Sequence, residues 1–191
     1  VAANELSLST QQEIYDRDHA QDFYHHRLTF ADEIHGKSVS ETVNILSTWA
    51  RLDPTCPMEL VLHSPGGAAM PGMALFDTLR TLSREGHFIT TSILGFSASM
   101  AGVILQAGDK RRMGRESYLL IHEISGQSVG KIGDMEDVTR FLNKMQARIV
   151  DIFVGRSDGK ITREAVINGW QRRDWWLTSD ECLHYGFIDE I

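Results

Sequence analysis

An α/β domain is what this sequence predicts, and three observations predict it. From Arg27 onward, short apolar runs alternate with stretches whose apolar residues recur at three- and four-residue spacing, the mark of strand–helix units. Turn-forming stretches, Ser64-Pro65-Gly66-Gly67 and Gly95-Phe96-Ser97-Ala98-Ser99, follow directly on two of the predicted strands. Finally, 191 residues, 42% of them hydrophobic and 24% charged, suit one domain with one core, and no repeat, low-complexity tract or linker divides the chain.

Residues 1–26 are polar and poorly patterned, with Asp16-Arg17-Asp18-His19 and then Gln21-Asp22. They predict an N-terminal arm ahead of a single domain over 27–191. Leu28–Phe30 predicts a first strand. Ser38–Leu52 predicts a helix with Val39, Val43, Leu46 and Trp49 on one face. Glu59–Leu62 predicts a strand that runs into Ser64-Pro65-Gly66-Gly67, and Gly72–Leu82 the next helix. Phe88–Leu94 predicts a strand, Gly95–Ser99 a tight turn, and Met100–Ala107 an apolar helix. Ser117–Ile121 predicts a strand that delivers His122. After a glycine-rich stretch, Gly126–Gly133, a long amphipathic helix is predicted over Asp134–Val154, with Met135, Val138, Phe141, Leu142, Met145, Ile149, Ile152 and Phe153 at helical spacing.

Charge and cysteine content narrow the function classes. With 26 acidic and 19 basic residues the formal net charge is −7, which provides no basic field for nucleic acid or an anionic membrane. Lys110-Arg111-Arg112 with Arg115 reads as a solvated turn, too short for a nucleic-acid site. No run approaches 18 consecutive apolar residues, so no membrane span is expected. The start at Val1 lacks a charged head followed by an apolar run, so no signal peptide is expected either. Cys56 and Cys182 stand far apart and near no cluster of other ligand types. That speaks against a disulfide framework or a zinc site and for a reducing, cytoplasmic setting.

The candidate chemistry is nucleophilic. A serine hydroxyl attacks only when a neutral histidine takes its proton, a third group holds that histidine's tautomer, and N–H donors receive the oxyanion. Ser99 stands where a strand gives way to a helix, where unpaired N–H groups and the helix dipole favour an anion. Its small neighbours Gly95, Ser97, Ala98, Ala101 and Gly102 leave room for a substrate backbone. His122 ends a strand, and two glycines after Pro65 turn backbone N–H groups into the same crevice. Ser97 competes with Ser99, and Gly95-Phe96-Ser97-Ala98-Ser99 departs from the G-x-S-x-G hydrolase elbow at its last position.

Several separate motifs carry a family resemblance. Ser64-Pro65-Gly66-Gly67, Gly95-Phe96-Ser97-Ala98-Ser99-Met100-Ala101-Gly102, Ile121-His122 and Arg173-Asp174 follow the order and spacing of the Clp protease proteolytic subunit, and Leu177–Ile191 resembles that family's C-terminal stretch. The likeness covers roughly Arg27 to Ile191. It implies Ser99 as nucleophile, His122 as general base, Asp174 as the residue that orients the histidine, and the N–H groups of Gly67 and Met100 as oxyanion hole. Asp180 and Asp189 are rivals of Asp174, with structural capping the expected role for both. The resemblance also implies a Clp protease-like, crotonase-like fold: repeated β-β-α units in a superhelix with a protruding handle helix, here Asp134–Val154. Its subunits self-associate into stacked rings that cleave peptide and protein substrates, can be fed by a separate AAA+ unfoldase, and require no metal or organic cofactor.

Departures stand beside the matches. Family members usually carry Asn where His63 stands and Pro where Ile124 stands, and the Ala-Ala before Ser-Met is here Ser97-Ala98. His63 is expected to be a core or rim histidine, with a second titrating group near the site as the other reading. The tyrosines that help dock the ATPase are replaced by Glu59 and Val61, and residues 1–26 do not match the family's axial loop, so the substitutions bear on partner choice more than on chemistry. Trp170, Trp175 and Trp176 are expected in the core or in subunit contacts. Two other functions stay open: a crotonase-superfamily acyl-CoA enzyme, which needs no serine–histidine–aspartate set, and a non-catalytic ring subunit.

Overall fold

The computed structural model describes residues 24–191, and residues 1–23 of the expected arm lie outside them. Among the described residues there are six strands: β1 (Arg27–Phe30), β2 (Met58–Ser64), β3 (Ile89–Ala98), β4 (Lys110–Met113), β5 (Tyr118–Ile121) and β6 (Trp175–Thr178). Six helices alternate with them: α1 (Gly36–Leu52), α2 (Ala69–Arg84), α3 (Met100–Leu105), α4 (Ile132–Arg156), α5 (Arg163–Trp170) and α6 (Ser179–Tyr185). None of these helices is long and apolar enough to cross a membrane.

The strands join one sheet in the order β1-β2-β3-β5-β6, with β4 also paired to β3. All pairings are parallel except β5 with β6. Parallel neighbours need a crossover, and α1, α2 and α3 supply it. Of the stripe predicted for α1, Val39, Leu46 and Trp49 are buried and Val43 partly so, and α2 buries Leu75, Leu79 and Leu82. The short helix α3 is buried at all six positions and packs against β2, β3 and β5 as well as α2 and α4. It is the centre of the core, and Ser99 stands at its N-terminus.

Two predicted features differ. Gly95–Ser99 is not a tight turn, because β3 runs on to Ala98. The register moves from Leu62 opposite Ile93 to Ser64 opposite Ser97, so Leu94, Gly95 and Phe96 bulge. Gly95 takes φ +93, and a Cβ there would strike the His63 ring. The strand bends at this glycine and resumes pairing with β5 through Phe96–Ala98. The Lys110-Arg111-Arg112 segment is likewise no solvated turn. It forms β4 against Thr90–Ile93, and Arg111 is buried because its guanidinium is fully engaged: it pairs with Asp189 and donates to Gln106 Oε1 at 2.8 Å, Arg156 O at 2.9 Å and Gly186 O at 2.8 Å.

Candidate active site

The β3–α3 junction builds the first part of the site. Ser99 is the N-cap of α3 with φ 55 and ψ −123, a left-handed conformation rare for a residue with a side chain. Two backbone bonds hold it there: the Ser99 N–H donates to Leu120 O at 2.9 Å, and the Gly102 N–H donates to Ser99 O at 3.0 Å. Ser99 lines a cavity beside this junction. Ser97, the rival, has its hydroxyl fully buried without a hydrogen-bond partner, so no peptide reaches it.

The loop after β2 forms the facing wall. Gly66 (φ +90) and Gly67 (φ +145) have backbones suited only to glycine, and a Cβ on Gly66 would lie 2.7 Å from Ser99 Cβ. The Ile34 N–H donates to Gly66 O and the Ala68 N–H to Ile34 O, each at 2.7 Å. These two bonds form a parallel bridge between Ile34 and Gly67. Met100 is the first residue of α3, whose N–H lies among those a helix leaves without an internal partner. Gly67, Ser99 and Met100 all line one cavity of about 360 Å³, and His122 lines it too.

The remaining walls are apolar: Met70, Pro71, Val103, Phe141, Leu142 and Met145 among others. The sequence periodicity marks the α4 members of this set but assigns them to core packing or the handle rather than to a pocket. Glu123 is the single acidic side chain in the lining.

Asp174 immediately precedes β6, a strand that sequence reasoning missed. The antiparallel register sets Leu119 opposite Leu177 and Ile121 opposite Trp175. The pairing ends there, and the next residues on the two segments are His122 and Asp174. Both residues line a smaller cleft with Glu123, Arg172 and Arg173. Among the described residues no hydrogen bond joins Ser99, His122 and Asp174. The rival carboxylates are occupied elsewhere. Asp180, in the first turn of α6, pairs with Arg115 at 3.4 Å. Asp189 pairs with buried Arg111.

His63 lies on the exposed rim, away from the cavity. Its Nδ1 is 3.0 Å from Leu94 O, and its ring meets Phe96 edge-on at 4.8 Å. Of the tryptophans, Trp170 is buried, Trp175 packs on Tyr185 and Phe187, and Trp176 lies exposed beside Tyr118.

Known proteins share this arrangement of sequence. The chain is 31% identical over 169 residues to ATP-dependent Clp protease proteolytic subunit 1 of Chlamydia pneumoniae, covering 86% of this chain and 85% of that one. It is 33% identical over 141 residues to proteolytic subunit 2 of Tropheryma whipplei, 73% of this chain and 75% of that one. Against the proteolytic subunit of Bacteroides fragilis it is 30% identical over 145 residues, 73% of this chain and 66% of that one. A profile of the Clp protease family matches residues 10–191, taking in both strand ends, the α3 N-terminus and the β6 tail that compose the site, and the chain therefore belongs to the Clp protease family.

Proposed function

We propose that the protein is a serine endopeptidase in which Ser99, His122 and Asp174 act as the catalytic triad. The observation that carries this reading is the half-buried Ser99, held at φ 55 on the N-terminus of a buried helix, in one cavity with His122. Ser99 Oγ attacks the scissile carbonyl carbon while His122 takes its proton, and the tetrahedral oxyanion receives hydrogen bonds from the Gly67 and Met100 N–H groups. His122 returns the proton to the leaving amine, and a water repeats the sequence to release the acyl group. Asp174 fixes the imidazole and supports its charged form. The apolar walls, Met70, Leu142 and Met145 among them, suit an apolar side chain on the residue whose carbonyl is attacked.

Assembly belongs to the same reading. The helix α4 exposes Ile132, Met135, Val138 and Phe141, and the outer face of the sheet exposes Tyr118 and Trp176. Apolar surface of this kind supports self-association, with α4 as the protruding handle between stacked rings and the β-α units as turns of a superhelix. The relatives are named as ATP-dependent, and the proposal extends to an AAA+ unfoldase as partner only where that unfoldase docks without the aromatic anchors that Glu59 and Val61 replace.

Intact-protein mass spectrometry after a fluorophosphonate probe tests the assignment, together with peptidase turnover. One adduct is expected at Ser99, and Ser99→Ala should lose both the adduct and roughly three to six orders of magnitude of turnover. A variant retaining a tenth of wild-type activity would refute it. An acyl-CoA reading of the same fold puts the chemistry on Glu123 and expects no label at Ser99.

A further inference from the structure

The β5–β6 ladder stops at Ile121 and Trp175, one step short of His122 and Asp174. Beyond that step the backbone of the Gln171–Asp174 turn departs from the strand. Arg172 takes φ 57, a left-handed conformation that a non-glycine residue keeps only where its surroundings hold it. On the side of α5 the turn is fastened by Arg173, whose N–H donates to Trp170 O at 3.1 Å and whose Nε donates to Gly169 O at 2.7 Å. On the side of the histidine, Glu123 Oε2 accepts the Arg172 N–H at 3.4 Å. Among the described residues this is the one side-chain hydrogen bond from the His122–Ser125 segment to the turn that carries Asp174. It reaches the N–H of the left-handed residue itself.

We infer that Glu123 is a positioning residue for the triad. Its carboxylate clamps the Arg172 turn and so keeps Asp174 opposite His122 where the strand pairing has run out. The clamp rests on the peptidase reading above. It works through geometry rather than charge: no lysine or arginine lies within ion-pair distance of Glu123 among the described residues, and the partner is a backbone N–H. The other charged groups in the cleft around His122 are Arg172, Arg173 and Asp174.

Three substitutions separate reach from charge. Glu123→Gln keeps an acceptor oxygen at the same distance and loses the charge. Glu123→Asp keeps the charge and is one methylene too short. Glu123→Ala loses both. With assembly held equal by sedimentation, Glu123→Ala and Glu123→Asp are expected to lower kcat about tenfold to a hundredfold with little change in KM, as a misplaced catalytic group does. Glu123→Gln should recover most of the rate. The opposite order, with Asp behaving as wild type and Gln as Ala, overturns the clamp in favour of a charge effect. Unchanged kinetics in all three, or a loss that merely tracks loss of assembly, overturns it outright. Ser99→Ala run alongside distinguishes a deeper failure: if that variant still cleaves, the serine reading is wrong and the clamp goes with it.

Discussion

Ser99 illustrates how one residue is held against its own preference. At φ 55 and ψ −123 it occupies a region that glycine enters freely and serine does not. Strain of this kind costs on the order of 1–3 kcal/mol, whereas glycine gives back about 0.5–1 kcal/mol through a more flexible unfolded chain. Ser99→Gly should therefore be more stable than Ser99→Ala by about 1 kcal/mol while equally inactive, read as a higher thermal midpoint at equal assembly. A Ser99→Gly midpoint at or below that of Ser99→Ala would mean the turn is not strained. Ser99 and His122 were legible in the sequence because each follows an apolar run that ends in a residue able to do chemistry. Asp174 was legible only through the family likeness. It adjoins a four-residue strand, Trp175–Thr178, too short to show a period. Glu123 gave no signal at all, since its role depends on the backbone of a turn some 49 residues away.

Among the elements, the parallel core strands and crossover helices were predictable from periodicity, and β4 was not. Three consecutive basic residues look solvated, and only the fold supplies what neutralises the middle one. Asp189, from the C-terminal tail, accepts the Arg111 N–H at 2.7 Å and Nε at 3.1 Å, and Arg111 also ties in Gln106 and the C-terminus of α4. Burial works to raise the Asp189 pKa, but the hydrogen bonds from Arg111 and the charges of Arg111 and Arg156 outweigh it and hold the carboxyl below its usual range. A depressed carboxylate contributes stability that is fully present above its unfolded value, near 3.9, and disappears as pH falls through its folded value. Asp189→Asn should then cost about 2 kcal/mol or more at pH 7, because it leaves a buried guanidinium without its counter-charge. The gap to wild type in denaturant midpoint should narrow as pH falls from about 5 towards 3. A gap that stays constant over that interval would assign the loss to packing rather than to the Asp189 charge.

For the whole molecule, the open question is which partner the outer rim of the sheet accepts. The family resemblance puts aromatic docking residues at Glu59 and Val61, and the structure explains how differently this rim is built. Val61 is buried and offers no surface. Glu59 is not a free charge: it pairs with Arg27 at 3.1 Å and accepts from Ser92 Oγ at 2.6 Å. Across a shallow cleft of about 350 Å³ stand Arg112 and Glu190, paired at 3.8 Å, with Lys110 also on Glu190. An aromatic anchor entering this cleft would strip water from paired charges without replacing their partners, a cost that opposes docking. Aromatic anchors in apolar pockets contribute about 2 kcal/mol or more each in such interfaces, so losing one weakens association at least tenfold. The protein is therefore expected to cleave a short fluorogenic peptide without ATP and to gain little degradation of a folded substrate when a conventional Clp unfoldase and ATP are added. Glu59→Tyr, which restores the aromatic and frees Arg27, should raise that stimulation while leaving ATP-independent peptide cleavage as it was. Robust ATP-dependent destruction of the folded substrate by the unaltered protein would sink the prediction, because it would show that a rim of paired charges docks the unfoldase as well as an aromatic one does.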